Sequence, residues 1–521
     1  MILFNILMNY LKSMKKIHLL YILLISIYSC TSLKEDPKSF ITPEQFYKTQ
    51  ADAVAAVNAA YYQLNAPAQT PYNVLFSTGM DMMSDDIDPG PGATNADVRS
   101  QSILAHASTG LRIIEIWQQH YAAIKRANVG LEKIPGIDFN TTLKNRLVGE
   151  LKFLRALWYF NLVRLYGDVP LILQDQTSDD PAVIHVARTP AETVYSQIIQ
   201  DLTEASDVLP NSYSGIDVGR ATKGAALSLL GKVYLTKYDW GNAVKFSENV
   251  TGPAPDFKSP FNYDLFANYS QVFLPANKNG IEHVFSAQFK SNAQGQGNNQ
   301  AHRGAPQGTG PLWASTITKQ IPGLLGNYAE QLHFYTVGHT THFSVYDLYS
   351  PKDKRRDATF ITSYKGTDGV DYPLIAPHLH KYFDPSTPRN LQESGANVPI
   401  IRYAEVLLNL SEAENELNGP TAKAYAALNK VRKRAGLDEL TQGLTQDQFR
   451  DSVYLDRRLE LVWEYQRWFD LIRQRDADGK RVLVKRLHEA GKTNATEKHY
   501  LFPIPQQEID INPKLTQNPG W

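Results

Sequence analysis

Apolar positions recur at helical spacing in blocks along the chain, and between the blocks the spacing fails. Ala51, Val54, Val57, Ala60 and Tyr61 make the first block, behind Thr42-Pro43-Glu44, which offers an N-cap and a first-turn proline. From Tyr72 to Gly110 the periodicity stops. Gly79, Pro89, Gly90, Pro91 and Gly92 break any helix there, and Asp81, Asp85, Asp86 and Asp88 keep the segment polar, so the pattern predicts a loop. Helical spacing returns at Ile113 with Trp117, Tyr121, Ile124 and Asn128. It returns again from Leu147 through Leu151, Leu154, Trp158, Leu162 and Leu165, closed by Gly167-Asp168-Val169-Pro170. Pro190 to Leu209 and Thr222 to Val250 predict two further amphipathic stretches.

The stretch after Lys223-Gly224 carries the spacing of a 34-residue tetratricopeptide repeat through Leu227, Leu230, Gly231, Tyr234, Ala243 and Pro255, with Leu227 at the tryptophan position. Small Gly231 and Ala243 permit two antiparallel helices to approach closely, and Tyr234 is placed to fill the groove between them. Arg402 to Asn418 and Thr421 to Ala435, joined by Gly419-Pro420, predict a second pair. A plain helical hairpin is the simpler alternative for each; several pairs in one chain favour degenerate repeats.

Residues 256 to 400 break this rhythm. Asn, Gln and Gly dominate Asn268 to Gly280 and Ser291 to Gly310, and short runs such as His283-Val284-Phe285 and Tyr346-Asp347-Leu348-Tyr349 lie between turns. The segment is too long for a structureless loop and predicts a subdomain of loops, short strands and short helices.

At the other end, Met14-Lys15-Lys16 precedes an apolar run from Ile17 to Tyr28 that ends in Ser29 and Cys30, the only cysteine. Lysines, a short apolar core and a small residue before the cleavage point describe an export signal, and the run falls short of the about 20 residues a bilayer needs. A lone thiol has no internal disulfide partner, so Cys30 is expected to carry lipid, and Met14 is expected to be the true start. A membrane span, or an ordinary signal with an incidental cysteine, is the alternative. With several acyl chains at about 0.8 kcal/mol per buried methylene, anchoring would be permanent. The expected organisation is a leader over 1–29, a lipidated tether over 30–40, a helical region over 41–255, the loop-rich subdomain over 256–400 and a helical region over 401–521.

Composition narrows the function. The chain has 53 basic and 53 acidic residues, which lacks the basic excess of a nucleic-acid surface. It is rich in aromatics, with 28 Tyr, 21 Phe and 7 Trp, side chains suited both to helix packing and to stacking on sugars. Enzyme motifs are poor. Gly491-Lys492-Thr493 resembles the end of a phosphate loop, but Arg486 holds the required upstream glycine position. No nucleophile elbow and no paired-histidine zinc helix occurs. His378 and His380, or His333, His339 and His342, could supply metal nitrogens, yet no close carboxylate or cysteine completes a set. Asp86, Asp88 and Asp97 fit three places of a calcium loop, with Pro91 where glycine is required. No metal or cofactor is expected. Two hydrolytic carboxylates can lie far apart in sequence, so spacing alone does not exclude glycan hydrolysis.

The run from Glu150-Leu151-Lys152-Phe153-Leu154-Arg155-Ala156 through Trp158-Tyr159-Phe160 to Tyr166-Gly167-Asp168-Val169-Pro170 resembles the signature helix and turn of the SusD/RagB family. Trp117 with Tyr121, Asp353-Lys354-Arg355-Arg356, Ile401-Arg402-Tyr403-Ala404-Glu405, Leu455-Asp456-Arg457-Arg458-Leu459-Glu460, Arg467-Trp468-Phe469-Asp470 and the closing Leu501-Phe502-Pro503 and Asn518-Pro519-Gly520-Trp521 are similar to further family motifs in the same order. The resemblance implies a mainly α protein, with about four tetratricopeptide-like hairpins and an irregular ligand-binding half with few short strands. It implies a non-catalytic outer-membrane lipoprotein on the cell exterior that captures oligosaccharide for a SusC-like, TonB-dependent transporter. Peptide capture by the same kind of lid is the first alternative, and a lipid-anchored glycan hydrolase the second. Lys34-Glu35-Asp36 resembles the family's surface-export signal.

The charged motif residues Arg155, Arg164, Asp168, Arg402, Glu405, Asp456, Arg457 and Glu460 are expected to pair with one another or with helix ends rather than to touch ligand. Sugar binding calls for exposed aromatics beside amides and acids. Tyr72 with Asp81 and Asp85 of the following loop, Trp313, Tyr335 and Tyr346 are the candidates, with core packing the alternative for each aromatic.

Overall fold

The computed structural model describes residues 3–10, 14, 46–66, 70–89, 95–293, 295–304, 345–365, 371–384, 386 and 393–521. Two compact units result, Met1–Thr49 and Gln50–Trp521. In the first, residues 3–10 are helical. Cys30 and Thr42-Pro43-Glu44 lie outside the described residues, as do Trp313, Tyr335 and the three histidines between 333 and 342.

The second unit is mainly helical. Its longer helices are α1 (Gln50–Asn65), α2 (Leu111–Lys133), α3 (Thr141–Tyr166), α4 (Ala191–Val208), α5 (Lys223–Thr236) and α6 (Trp240–Thr251), then α7 (Tyr403–Asn418), α8 (Ala422–Arg434), α9 (Gln446–Glu460) and α10 (Arg467–Arg473). Each of α2 to α8 packs on the next, and α9 packs on α7. The stack runs straight through the insertion, because α6 lies against α7 although some 150 residues separate them in sequence.

Local chemistry sets these helices. Asn140 accepts the Leu143 amide to cap α3, which ends at Gly167 with φ +70°. Thr222 caps α5 through the Ala225 amide, and Thr445 with Gln448 forms a capping box on α9. At Gly231 a Cβ would come within 2.9 Å of the Ser247 hydroxyl and 3.3 Å of its amide, so the α5–α6 approach requires glycine. Tyr234 stacks on Phe246 across that pair, rings 5.3 Å apart and nearly parallel. The C-terminal extension is bound to α3: the Phe502 amide donates to the Leu165 carbonyl at 2.7 Å, and the Asn518 side chain to the Tyr166 carbonyl at 3.0 Å.

The insertion leaves the stack after α6 and returns at α7. Its first and last strands, β1 (His283–Ala287) and β4 (Val398–Arg402), pair antiparallel and are buried throughout. Between them β2 (Phe360–Lys365) and β3 (Asp371–Leu379) form a separate antiparallel hairpin. Charges lock the base. Arg402 contacts Glu282 at 2.6 Å, Glu460 at 2.7 Å and Glu464 at 2.6 Å, and Arg434 reaches Glu282 and Glu460. Arg355 binds Asp353 at 2.7 Å and Asp456 at 2.9 Å, Arg457 binds Glu405 and Asp470, and Arg155 binds Asp201. Asp168 caps α4 through the Ala191 amide at 2.8 Å. These family-motif charges therefore hold helices to one another, each compensated by partners at hydrogen-bond distance, whereas Arg164, also expected to pair, meets no carboxylate among the described residues.

One expectation fails. The segment after Tyr72 is not a polar surface loop but a succession of short helical turns, Pro71–Leu75, Phe76–Gly79 and Asp81–Met83, with Met80, Met82 and Met83 fully buried. Glycine and proline stop a long helix without forcing the backbone outward, and Asp85, Asp86 and Asp88, which suggested solvent, have cationic partners.

Candidate functional site

Those partners decide the fate of the predicted residues. Asp85 receives two hydrogen bonds from Arg467, at 2.7 and 2.6 Å, and lies 3.1 Å from Arg458; burial would raise its carboxyl, but the two guanidinium groups hold it well below the usual range. Asp81 is 2% exposed with Oδ2 unpartnered among the described residues, and burial, then Asp86, pushes its carboxyl well up, which favours the neutral acid. Asp86, Asp88 and Asp97 turn to Arg458, Lys492 and the Leu111 amide, not to a common centre. Lys492 also donates to the carbonyls of Met82 and Ile87, so the lysine that resembled a phosphate-loop residue anchors this segment.

Tyr72 is a core residue. It is 4% exposed, its ring meets Phe76, Trp158 and Tyr465, and its hydroxyl accepts the Asn161 amide at 3.0 Å. A ligand cannot reach it, so the expectation of an exposed ring there is corrected. Tyr346 is half-buried, edge-on to Phe360 with the Arg356 guanidinium 5.4 Å from its ring centre. His378 and His380 are held to about 4 by burial, and no cluster of metal-ligating side chains occurs among the described residues.

An open concavity lies elsewhere. Two adjoining hollows of about 280 and 310 Å3 share Val218, Gly219, Arg220 and Ser286 and together form one groove. One hollow is walled by Tyr213, Phe261 and Tyr263, with Asn211, Asn262 and Asn279 around them. The other is walled by Tyr61 and Tyr62 on α1, with Asn58, Asn65 and Gln288. Tyr62 is 50% exposed and offers the most open aromatic face, while Ile216 and Val218 form an apolar lip.

The floor is tightly fitted. Gly219 has φ +98°, and a Cβ there would sit 2.7 Å from the Gln288 amide carbon, so only glycine lets these segments meet. Gln288 exchanges hydrogen bonds with Asn279 at 2.8 and 3.0 Å and accepts from Asn397 at 2.9 Å. Arg220 spends its guanidinium on Asp217, Glu150 and Asn58; burial opposes its charge, but Glu150 raises it above the usual value. Burial, then Glu150, likewise keeps the Tyr61 and Tyr213 hydroxyls protonated. Ser286, buried on β1, has no partner for its hydroxyl among the described residues. Flat aromatic faces beside amides are what a polyhydroxylated ligand with C–H faces requires. Of the predicted site residues, the described ones, Tyr72, Asp81, Asp85 and Tyr346, do not line this groove.

Repeat helices carrying a loop-rich insertion and an open polar-aromatic groove define a helical-repeat binding protein. The comparisons agree. Residues 365–521 match the model described as "SusD family", and residues 34–235 the one described as "Starch-binding associating with outer membrane". Between them these two matches take in most of the chain, which is similar to SusD-family proteins. It is 27% identical to SusD-like protein P2 of Formosa agariphila, over 98% of this chain and 100% of that protein. Among solved structures, a laminarin-binding SusD-like protein is 28% identical with a TM-score of 0.74, covering 91% of this chain and 100% of that one. Surface glycan-binding protein A from Bacteroides uniformis is 25% identical with a TM-score of 0.71, covering 90% and 99%.

Proposed function

We propose that this protein captures an oligosaccharide at the cell surface and hands it to a SusC-like, TonB-dependent transporter, while lipid on Cys30 keeps it on the outer membrane. The groove shared by Tyr61, Tyr62, Tyr213 and Tyr263 carries the binding reading, since it pairs ring faces with amides. A relative named for laminarin binding and another named as a surface glycan-binding protein support the ligand class. The role is capture without catalysis. The lipidated tether lets the body move relative to its partner without leaving the membrane.

Affinity electrophoresis of the soluble body through gels containing different polysaccharides tests the reading. Retardation by at least one glycan without new reducing ends is expected. New reducing ends would replace capture by hydrolysis, and no retardation by any glycan would move the ligand to peptide. In cells, Cys30→Ala should abolish surface retention; a variant retained at the surface and supporting normal uptake would overturn the anchor.

A further inference from the structure

Arg164 on α3 is a buried cation that, among the described residues, meets no carboxylate. Its Nε donates to the Phe160 carbonyl at 3.0 Å and its Nη2 to the Asn161 side-chain oxygen at 2.7 Å, while Nη1 has no described partner. Phe160 and Phe469 flank the guanidinium, with ring centres 3.8 and 3.4 Å from its carbon. Two ring faces attract a cation but neutralise no charge.

The surroundings accentuate the imbalance. Lys232 binds Glu405 at 2.7 Å, Arg457 joins Glu405 to Asp470, and Arg473 joins Asp470 to Glu412. With Arg164 this cluster holds four cations against three carboxylates, all buried, so one positive charge is left over. Burial lowers the Arg164 guanidinium to about 10, still charged at neutral pH.

A narrow cleft adjoins this excess charge. Arg164, Lys232, Tyr72, Asn161 and Gln466 supply its polar lining, and it has room for the centre of one water-sized particle, about 10 Å3. The Lys232 ammonium spends donors on Gln466 and Glu405 and keeps a third. The Tyr72 hydroxyl accepts from Asn161, which frees its own proton to donate. Arg164, Lys232 and Tyr72, each with a donor to spare, line this small space.

We infer that this cleft is a binding site for one small monovalent inorganic anion, of the size and charge of chloride, which supplies the counter-charge that Arg164 lacks. It seats the anion where α3, α5, α10 and the segment after Thr70 meet, so it joins the repeat stack to the family's C-terminal motif. Size excludes sulfate and phosphate. Carboxylates are excluded by the same narrowness.

Crystals of the soluble body soaked in bromide test the site directly. An anomalous peak beside the Arg164 guanidinium is expected; a water molecule there, or bromide only on the outer surface, overturns the proposal. In solution, replacing gluconate by chloride at constant ionic strength should raise the Tm saturably. Arg164→Met should remove that chloride dependence. A Tm in the wild-type protein that follows ionic strength alone overturns it too, and that measurement stands whether or not the variant folds.

Discussion

Arg402 grips Glu460 twice: Nη1 donates to its carboxylate at 2.7 Å and Nη2 to its backbone carbonyl at 2.9 Å. One side chain thereby fastens the end of β4 to the end of α9. Arg402→Met leaves Glu282, Glu460 and Glu464 short of a cation in a buried site, which costs about 3–5 kcal/mol. Urea unfolding should show the midpoint falling with little change of slope; a loss under about 1 kcal/mol would mean that the cluster behaves like a surface pair.

The same clusters set the response to acid. Burial would raise Glu460, but Arg434, Arg402 and Arg355 hold its carboxyl well below the usual range. Glu405 is lowered against its burial by Lys232 and Arg457, and Asp470 by Arg457 and Arg473. As pH falls past about 4, the unfolded chain takes up protons that the folded protein refuses, so the stabilisation is complete above that pH and fades below it. The urea midpoint should begin to fall below about pH 6.5, where the unfolded chain protonates histidines such as His378 and His380 that burial keeps neutral in the fold, and then drop more steeply as the carboxylates take up protons. A midpoint that climbs on acidification would contradict these directions.

Tyr62 and Tyr72 should behave as opposites. Tyr62→Ala removes a half-exposed ring from the groove and should weaken oligosaccharide binding by about 0.5–1.5 kcal/mol in calorimetry, with little effect on stability. Tyr72→Ala empties a core position and should cost about 3–5 kcal/mol of stability, yet leave the affinity of the folded molecules unchanged. A folded Tyr72→Ala protein with lost affinity would return that residue to the ligand.

Gly219 and Gly215 offer a controlled comparison. Both have positive φ, +98° and +61°, so alanine strains either backbone by about 1 kcal/mol. At Gly215 nothing lies within 4 Å of the added carbon, whereas at Gly219 it strikes Gln288. Gly219→Ala should therefore weaken binding and Gly215→Ala should not. Equal affinities would place the ligand away from this floor.

Most of the helical stack was legible because periodicity is local. Leu147 to Leu165 announces α3 by its own spacing, and Gly231 with Ala243 announces the close α5–α6 contact. The segment after Tyr72 was misread because its neutralising partners, Arg458 and Arg467, lie more than 370 residues away in sequence. The groove was invisible for a similar reason. Asn58 to Asn65, Tyr213 to Arg220 and Ser286 to Gln288 carry no shared motif, and only the stack brings them together. Trp313 and Tyr335 lie outside the described residues, and Tyr346 does not line the groove.

The pairing of β1 with β4 separates inheritance of the scaffold from inheritance of the insert. Both ends of the excursion are stapled at one point, by strand hydrogen bonds and by Arg402 on Glu282. What lies between Gln288 and Asn397 can lengthen, shorten or be exchanged without asking α6 and α7 to part. A lineage can thus replace one continuous stretch of gene while the groove's walls, which lie outside it, keep their place, and an engineer can graft the same stretch from a relative at the same two strands.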